Sequence, residues 1–191
     1  CMERAFSLDQ SDSRILMELD QLYKRMQKPH EFRLSKFESY PELVAKRDDL
    51  ILEHATLLNQ TGDYERAAEI IDNYIFHPWE GGEGKVPAQY QFSRTERAKA
   101  ILRNNPTSTN EAISLLTECL AYPHNLGEGK LHGAQENDFH YFLGCAYEQL
   151  GDTETARHYW ELATYGPQEP AAAMYYNDAK PEKIFYQGLA L

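Results

Sequence analysis

The sequence predicts an all-α chain, an α-α superhelix of antiparallel helix pairs stacked in tandem and joined by long glycine-rich loops. Three observations lead there. Gly82-Glu83-Gly84-Lys85 returns as Gly127-Glu128-Gly129-Lys130, 45 residues later. Ala67, Ala112 and Ala156 recur at intervals of 45 and 44 residues, and Pro78, Pro123 and Pro167 each follow them by 11. Between these landmarks apolar residues fall at three- and four-residue spacings, the period of a helix with one buried face.

Taken in order, Cys1 to Leu8 reads as the tail of a second helix belonging to a preceding pair. The first full pair spans about 12–41, with helices over roughly Asp12 to Met26 and Pro29 to Tyr40; it is the most degenerate. The pair at 42–78 turns at Gly62-Asp63-Tyr64 and carries Ala55, Leu58, Ala67, Ile71 and Tyr74 at its contact positions. The pair at 88–123 lacks a corner glycine and uses Pro106-Thr107-Ser108-Thr109 as turn and cap, keeping Ala112, Leu116 and Cys119. In the clearest pair, 138–167, Phe139, Phe142, Leu143, Ala146 and Leu150 form the first stripe. Gly151 supplies a left-handed stop and Asp152 or Thr153 a cap, and Ala156, Tyr159, Trp160 and Ala163 form the second stripe. Residues 181–191 read as the first helix of another pair, with Gly188 in the place of Gly144, so both ends are expected to be cut from a longer array.

Leu143-Gly144, Tyr147, Gly151, Ala156, Trp160, Ala163 and Pro167 resemble, in order, the signature of the tetratricopeptide (TPR) repeat. The resemblance implies a right-handed solenoid and a concave groove lined by the first helix of each pair, suited to an extended or helical segment. On the family register Asp49, Thr56, Asn59, Arg94, Arg97, Asn104, Tyr141 and Glu148 face that groove, and Arg94 with Arg97 would pair with an acidic peptide. Leu52, Thr56, Tyr141 and Cys145 stand where the family's chaperone-binding members place Lys and Asn, so that activity is not expected.

A standard repeat of this family has about 34 residues, which leaves about ten extra residues in each link between pairs. These inserts contain His77, Trp79, Glu83 and Lys85, then Glu128, Lys130, Gln135 and Asn137, then Tyr175, Tyr176, Asn177 and Asp178. Recurring at equivalent places, they are expected along one edge of the array, either as a composite binding site or folded against their own units with Trp79 as a plug. HPWEGGEGK, NLGEGK, GAQEND, MYYND and IFYQGLAL together resemble long multidomain bacterial proteins in which an N-terminal domain of unknown function precedes such an array. That likeness implies an alternative role: a site-completing region of a carbohydrate-active enzyme, with Trp79, Tyr175 and Tyr176 stacking on sugar rings.

The remaining signals narrow the field. Thirty acids against nineteen bases give a net charge of −11 and a pI near 5.1, which disfavours nucleic acid or an anionic membrane as partner. No apolar run approaches the roughly 20 residues that span a bilayer. Cys1, Cys119 and Cys145 have no CxxC spacing and read as free thiols of a reducing, cytoplasmic setting. The GEGK loops lack the glycine and Ser/Thr of a phosphate-binding loop, since Trp79 and His124, and Val86 and Leu131, stand at those places. His77, His124 and His132 have no chelating spacing, so no metal is expected. Acids such as Glu80, Glu136 and Asp138 are too numerous to single out a catalytic pair. The expected function is a non-catalytic scaffold without cofactor, whose partner is a protein, a peptide or another domain of the same polypeptide.

Overall fold

Helix ends in this chain are fixed by residues that satisfy leftover backbone groups or permit a left-handed turn. The computed structural model describes residues 1–171, 178 and 180–191. Eleven α-helices form among them: α1 (Met2–Leu8), α2 (Ser13–Arg25), α3 (His30–Ser39), α4 (Pro41–Val44), α5 (Asp48–Thr61), α6 (Tyr64–Asp72), α7 (Lys85–Asn104), α8 (Thr109–Glu118), α9 (Asn137–Gln149), α10 (Thr153–Thr164) and α11 (Pro181–Leu189). No strand occurs among the described residues. Asp12, Asp63 and Asp152 each accept a hydrogen bond from a backbone N–H in the first turn of α2, α6 and α10. Gly62 and Gly151 take φ of 87° and 81° at the α5–α6 and α9–α10 corners, a conformation that side chains with a Cβ resist.

Helices pack on their chain neighbours. α5 lies against α6, α7 against α8 and α9 against α10; α6 then packs on α7, α8 on α9 and α10 on α11. Close approach needs small residues, and Ala55, Ala67, Ala98, Ala112, Ala146, Ala156 and Ala163 are all fully buried. Larger apolar groups fill the space between, with Leu57, Leu58 and Ile71 inaccessible on α5 and α6. Each contributes about 1.5–3 kcal/mol by burial. Leu126, in a 3-10 turn of the second insert, joins the same core as Phe76 and Val86, so part of this loop is packed interior.

α7 begins at Lys85, three residues before the expected 88, and Gly84 precedes it with φ 71°. That extra turn brings the first GEGK cassette directly onto a helix end. At the N-terminal end, α2 and α3 meet through long side chains. Arg33, 2% exposed, makes a bidentate pair with Asp20 of α2 at 2.8 and 2.7 Å and reaches Glu53 of α5 at 2.5 Å. Lys24 also pairs with Glu53. Arg94 plays the same part further on: 5% exposed, it joins Asp72 of α6 and Glu118 of α8 and lies 3.6 Å from the Tyr90 ring.

Removing one member of a buried pair strands the other charge. Arg33→Met should therefore lower stability by about 3–5 kcal/mol, whereas Arg14→Ala, in an exposed pair with Glu18, should lower it by under about 1 kcal/mol; urea unfolding at neutral pH measures both. A second test concerns His54, half-buried beside Phe37, with its Nε2 lacking a hydrogen-bond partner. Burial pushes its pKa down, with Glu38 opposing and Arg66 adding to the fall. The unfolded chain thus takes up this proton more readily, so stability is complete above about pH 6.5 and declines as pH falls below it. Thermal unfolding at pH 7.5 and 5.5 should show that decline, reduced in His54→Phe.

Candidate functional site

The second insert is clasped to the unit before it by polar groups that helices leave over. Asn125 donates from Nδ2 to the carbonyls of Ile71 and Tyr74, at 2.8 and 3.0 Å, closing the end of α6. Its own carbonyl accepts from the Phe76 N–H at 2.8 Å. Gly127 sits over that strand of contacts with φ 74°, and a Cβ there would lie 2.5 Å from the Phe76 carbonyl oxygen. Next in sequence, the Glu128 carboxylate accepts from the Gly84 N–H through both oxygens, at 3.1 and 2.8 Å. A negative group is thereby fixed at the positive end of α7. The repeated cassette is thus a clasp in which the acid of one copy holds the glycine of the other.

This clasp forms one wall of a cleft of about 450 Å³. Its floor is the face of α7 carrying Ala88, Phe92, Thr95 and Lys99; α9 adds Asp138 and Phe139, and α11 adds Lys183 and Tyr186. Leu131 and Gln135 of the second insert, with Asp178 and Lys180, complete the rim. Phe92 is 43% exposed, an apolar surface available to an occupant. The charges are arranged in local pairs: Lys99 with Glu96 at 2.5 Å, and Lys183 with Asp138 at 2.5 Å, its ammonium also 4.5 Å from the Phe139 ring centre. Burial raises the Tyr186 pKa, with Lys99 opposing, so this phenol stays a neutral donor at physiological pH.

Of the insert residues singled out in the sequence, Glu128, Gln135 and Asp178 line this cleft. Trp79 is half-buried with its indole laid over Gly82, where a Cβ would come within 2.3 Å of the ring. Trp79, His77 and Glu83 border a separate cavity of about 20 Å³, room for about one water molecule. His77 donates its backbone N–H to Asp48, which also receives the Tyr74 hydroxyl. Burial alone would raise the Asp48 carboxyl, but these donors outweigh it and hold it below its ordinary value. Asn137 is buried and donates to the carbonyls of Ala163 and Tyr165, closing α10 as Asn125 closes α6. Lys130 donates to the Leu120 carbonyl and pairs with Glu136, and Lys85 is exposed in the first turn of α7. Tyr175, Tyr176 and Asn177 lie outside the described residues.

None of the groove set lines the cleft. Asp49 pairs with Arg47, Thr56 donates to the Leu52 carbonyl, and Asn59 is buried against Gln89. Arg94 is enclosed by its two carboxylates and so is not offered to an acidic peptide. Arg97 is half-buried 4.0 Å from Glu111; Asn104 and Glu148 are exposed. Tyr141 packs against Phe142 and Tyr186. On α7 the reason is helix phase: at about 100° per residue, Arg94, Arg97 and Asn104 stand about 130° to 170° round the helix from the row Ala88, Phe92, Thr95 and Lys99. Phe92, Lys99, Lys183 and Tyr186 were not anticipated. Their signal was present in Phe92, an aromatic residue on the polar side of its helix.

Buried Cys119 has its thiol pushed up to about 12 by burial, and burial raises half-buried Cys145 likewise, so neither is activated as a nucleophile. Among the described residues no three His, Cys, Asp or Glu side chains are grouped to hold a metal ion, and no helix is long and apolar enough to cross a membrane. No protein-family model matches the chain.

Gly127→Ala and Gly62→Ala separate a close approach from a turn. At Gly62 the space is open and only the left-handed backbone resists, about 1–2 kcal/mol. At Gly127 the Phe76 carbonyl must also move, so the loss in denaturant unfolding should be clearly larger than for Gly62→Ala.

Proposed function

We propose that this chain is a non-catalytic scaffold, a TPR-like solenoid that holds a protein or peptide segment in the cleft between α7, α9 and α11. The observation that carries this reading is the composition of the cleft: three helices at successive repeat positions share it, with an apolar centre at Phe92, Phe139 and Tyr186 and paired charges around it. That mixture suits an extended segment whose side chains are apolar in the middle and polar at the edges. The packing of each helix on its chain neighbours supports the stacked-pair reading. Three free cysteines suit a reducing, cytoplasmic setting, and the excess of acids disfavours nucleic acid as the occupant.

The share of the second insert in the cleft wall also supports the alternative, in which the occupant is another domain of a multidomain bacterial enzyme. On that reading only the face of the Trp79 ring turned away from Gly82 is left to stack on a sugar. The test uses a random 12-residue peptide library selected on the folded chain. Enriched peptides should lose at least about tenfold in affinity with Phe92→Glu and be unaffected by Arg97→Glu on the opposite face of α7. The reverse pattern would sink the cleft in favour of the groove.

A further inference from the structure

Three cations on α7 and α11 are held in the same way, between a carboxylate and the face of an aromatic ring. Arg94 lies 3.6 Å from the Tyr90 ring centre and pairs with Asp72 and Glu118. Lys99 pairs with Glu96 and lies 5.7 Å from the ring centre of Phe142 on α9. Lys183 of α11 pairs with Asp138 and lies 4.5 Å from the ring centre of Phe139, both on α9. Ring and carboxylate act together, because the negative face of the ring adds to the field of the acid and partial burial strengthens both. Phe92 offers a ring and a neighbouring carboxylate without the cation. It is 43% exposed on the cleft floor, with Tyr64 in a T-shaped contact at 6.1 Å. Among the described residues no ammonium or guanidinium lies over it. Glu96 stands one turn on along the same face of α7, with its Cβ about 5–6 Å away, and Lys99 bonds its Oε1, leaving Oε2. The described residues that line the cleft include five carboxylates and three ammonium groups, so negative charge is in excess there.

We infer, on the reading of the cleft as a peptide site, that its occupant is a basic segment of a partner protein, one that lays an arginine or lysine side chain over the Phe92 ring with its charge against Glu96. Arginine fits the place best. Its planar guanidinium stacks on a ring and still donates in its own plane to a carboxylate, as Arg94 does on the far side of the same helix. Apolar side chains beside that cation fill the space towards Phe139 and Tyr186. The net charge of −11 draws such a segment in from solution. The cleft thus recognises from outside the same chemistry that holds its own helices together.

The probes are the 12-residue peptides enriched on the intact chain, selected in about 0.15 M salt so that net charge alone retains little. They should share an arginine or lysine at one fixed position, and scrambled peptides of the same composition should bind at least about tenfold more weakly. Replacing the shared cation with glutamine should weaken binding to the wild-type chain at least about tenfold, and binding to Phe92→Leu or Glu96→Gln much less, a coupling that a double-mutant cycle in fluorescence anisotropy measures. Unchanged circular dichroism and melting temperature verify that both variants are folded. Enriched peptides that lose affinity with Phe92→Glu yet share no cation overturn the inference and leave the cleft reading standing. Cations at no fixed position, with scrambled peptides binding equally well, also overturn it, because attraction is then by bulk charge. Loss of affinity with Arg97→Glu instead, or no enriched peptide at all, overturns the inference and the cleft reading together.

Discussion

The need to satisfy polar groups at helix ends governs how this chain is assembled. Every helix leaves carbonyls at one end and N–H groups at the other, and a chain of short helices has many such ends. Here several are closed by residues from another element: Asn125 closes α6, Asn137 closes α10, and Glu128 occupies the N-terminus of α7. The long inserts are therefore more than linkers. They carry the amides and carboxylates that position one helix pair against the next, and the cleft exists because that positioning leaves a gap between α7, α9 and α11.

Buried charge adds a second constraint. Arg33 and Arg94 each reach carboxylates on two other helices. An apolar residue of the same size would fill either space and would tolerate several packings. A guanidinium held by two carboxylates tolerates far fewer, because any slip of one helix leaves a charge without its partner. Arg94 in particular fixes the rotation of α7, and that rotation turns Phe92 and Lys99 towards the cleft.

Much of the helical pattern was legible in the residues. Gly62 and Gly151 mark corners because few other residues take positive φ readily, and the recurrent alanines mark contacts because nothing larger fits. The site was less legible, for identifiable reasons. The middle pair lacks a corner glycine, so its register was taken from the neighbouring pairs, and α7 starts earlier than theirs imply. Arg94 looked like a ligand for acids because a sequence shows the charge without Asp72 and Glu118 around it. Glu128 and Gln135 were recognised as loop residues of interest, yet the partner of Glu128, a backbone N–H about one repeat earlier, has no side-chain signature. Trp79 carried both readings, and its ring lies over Gly82 while the residue stays half-buried.

The cleft draws its surface from Gly84 through to Tyr186, so no local stretch of the chain contains it. It is consequently a property of the assembled state alone. Unfolding of α7, α9, α11 or the second insert removes a wall, and an occupant that recognises the whole cleft has nothing to recognise in the opened forms. Occupancy is then linked to cooperativity: bound ligand adds RT ln(1 + [L]/Kd) to every opening that dismantles a wall, drawing the helices that form the walls into a single unfolding unit.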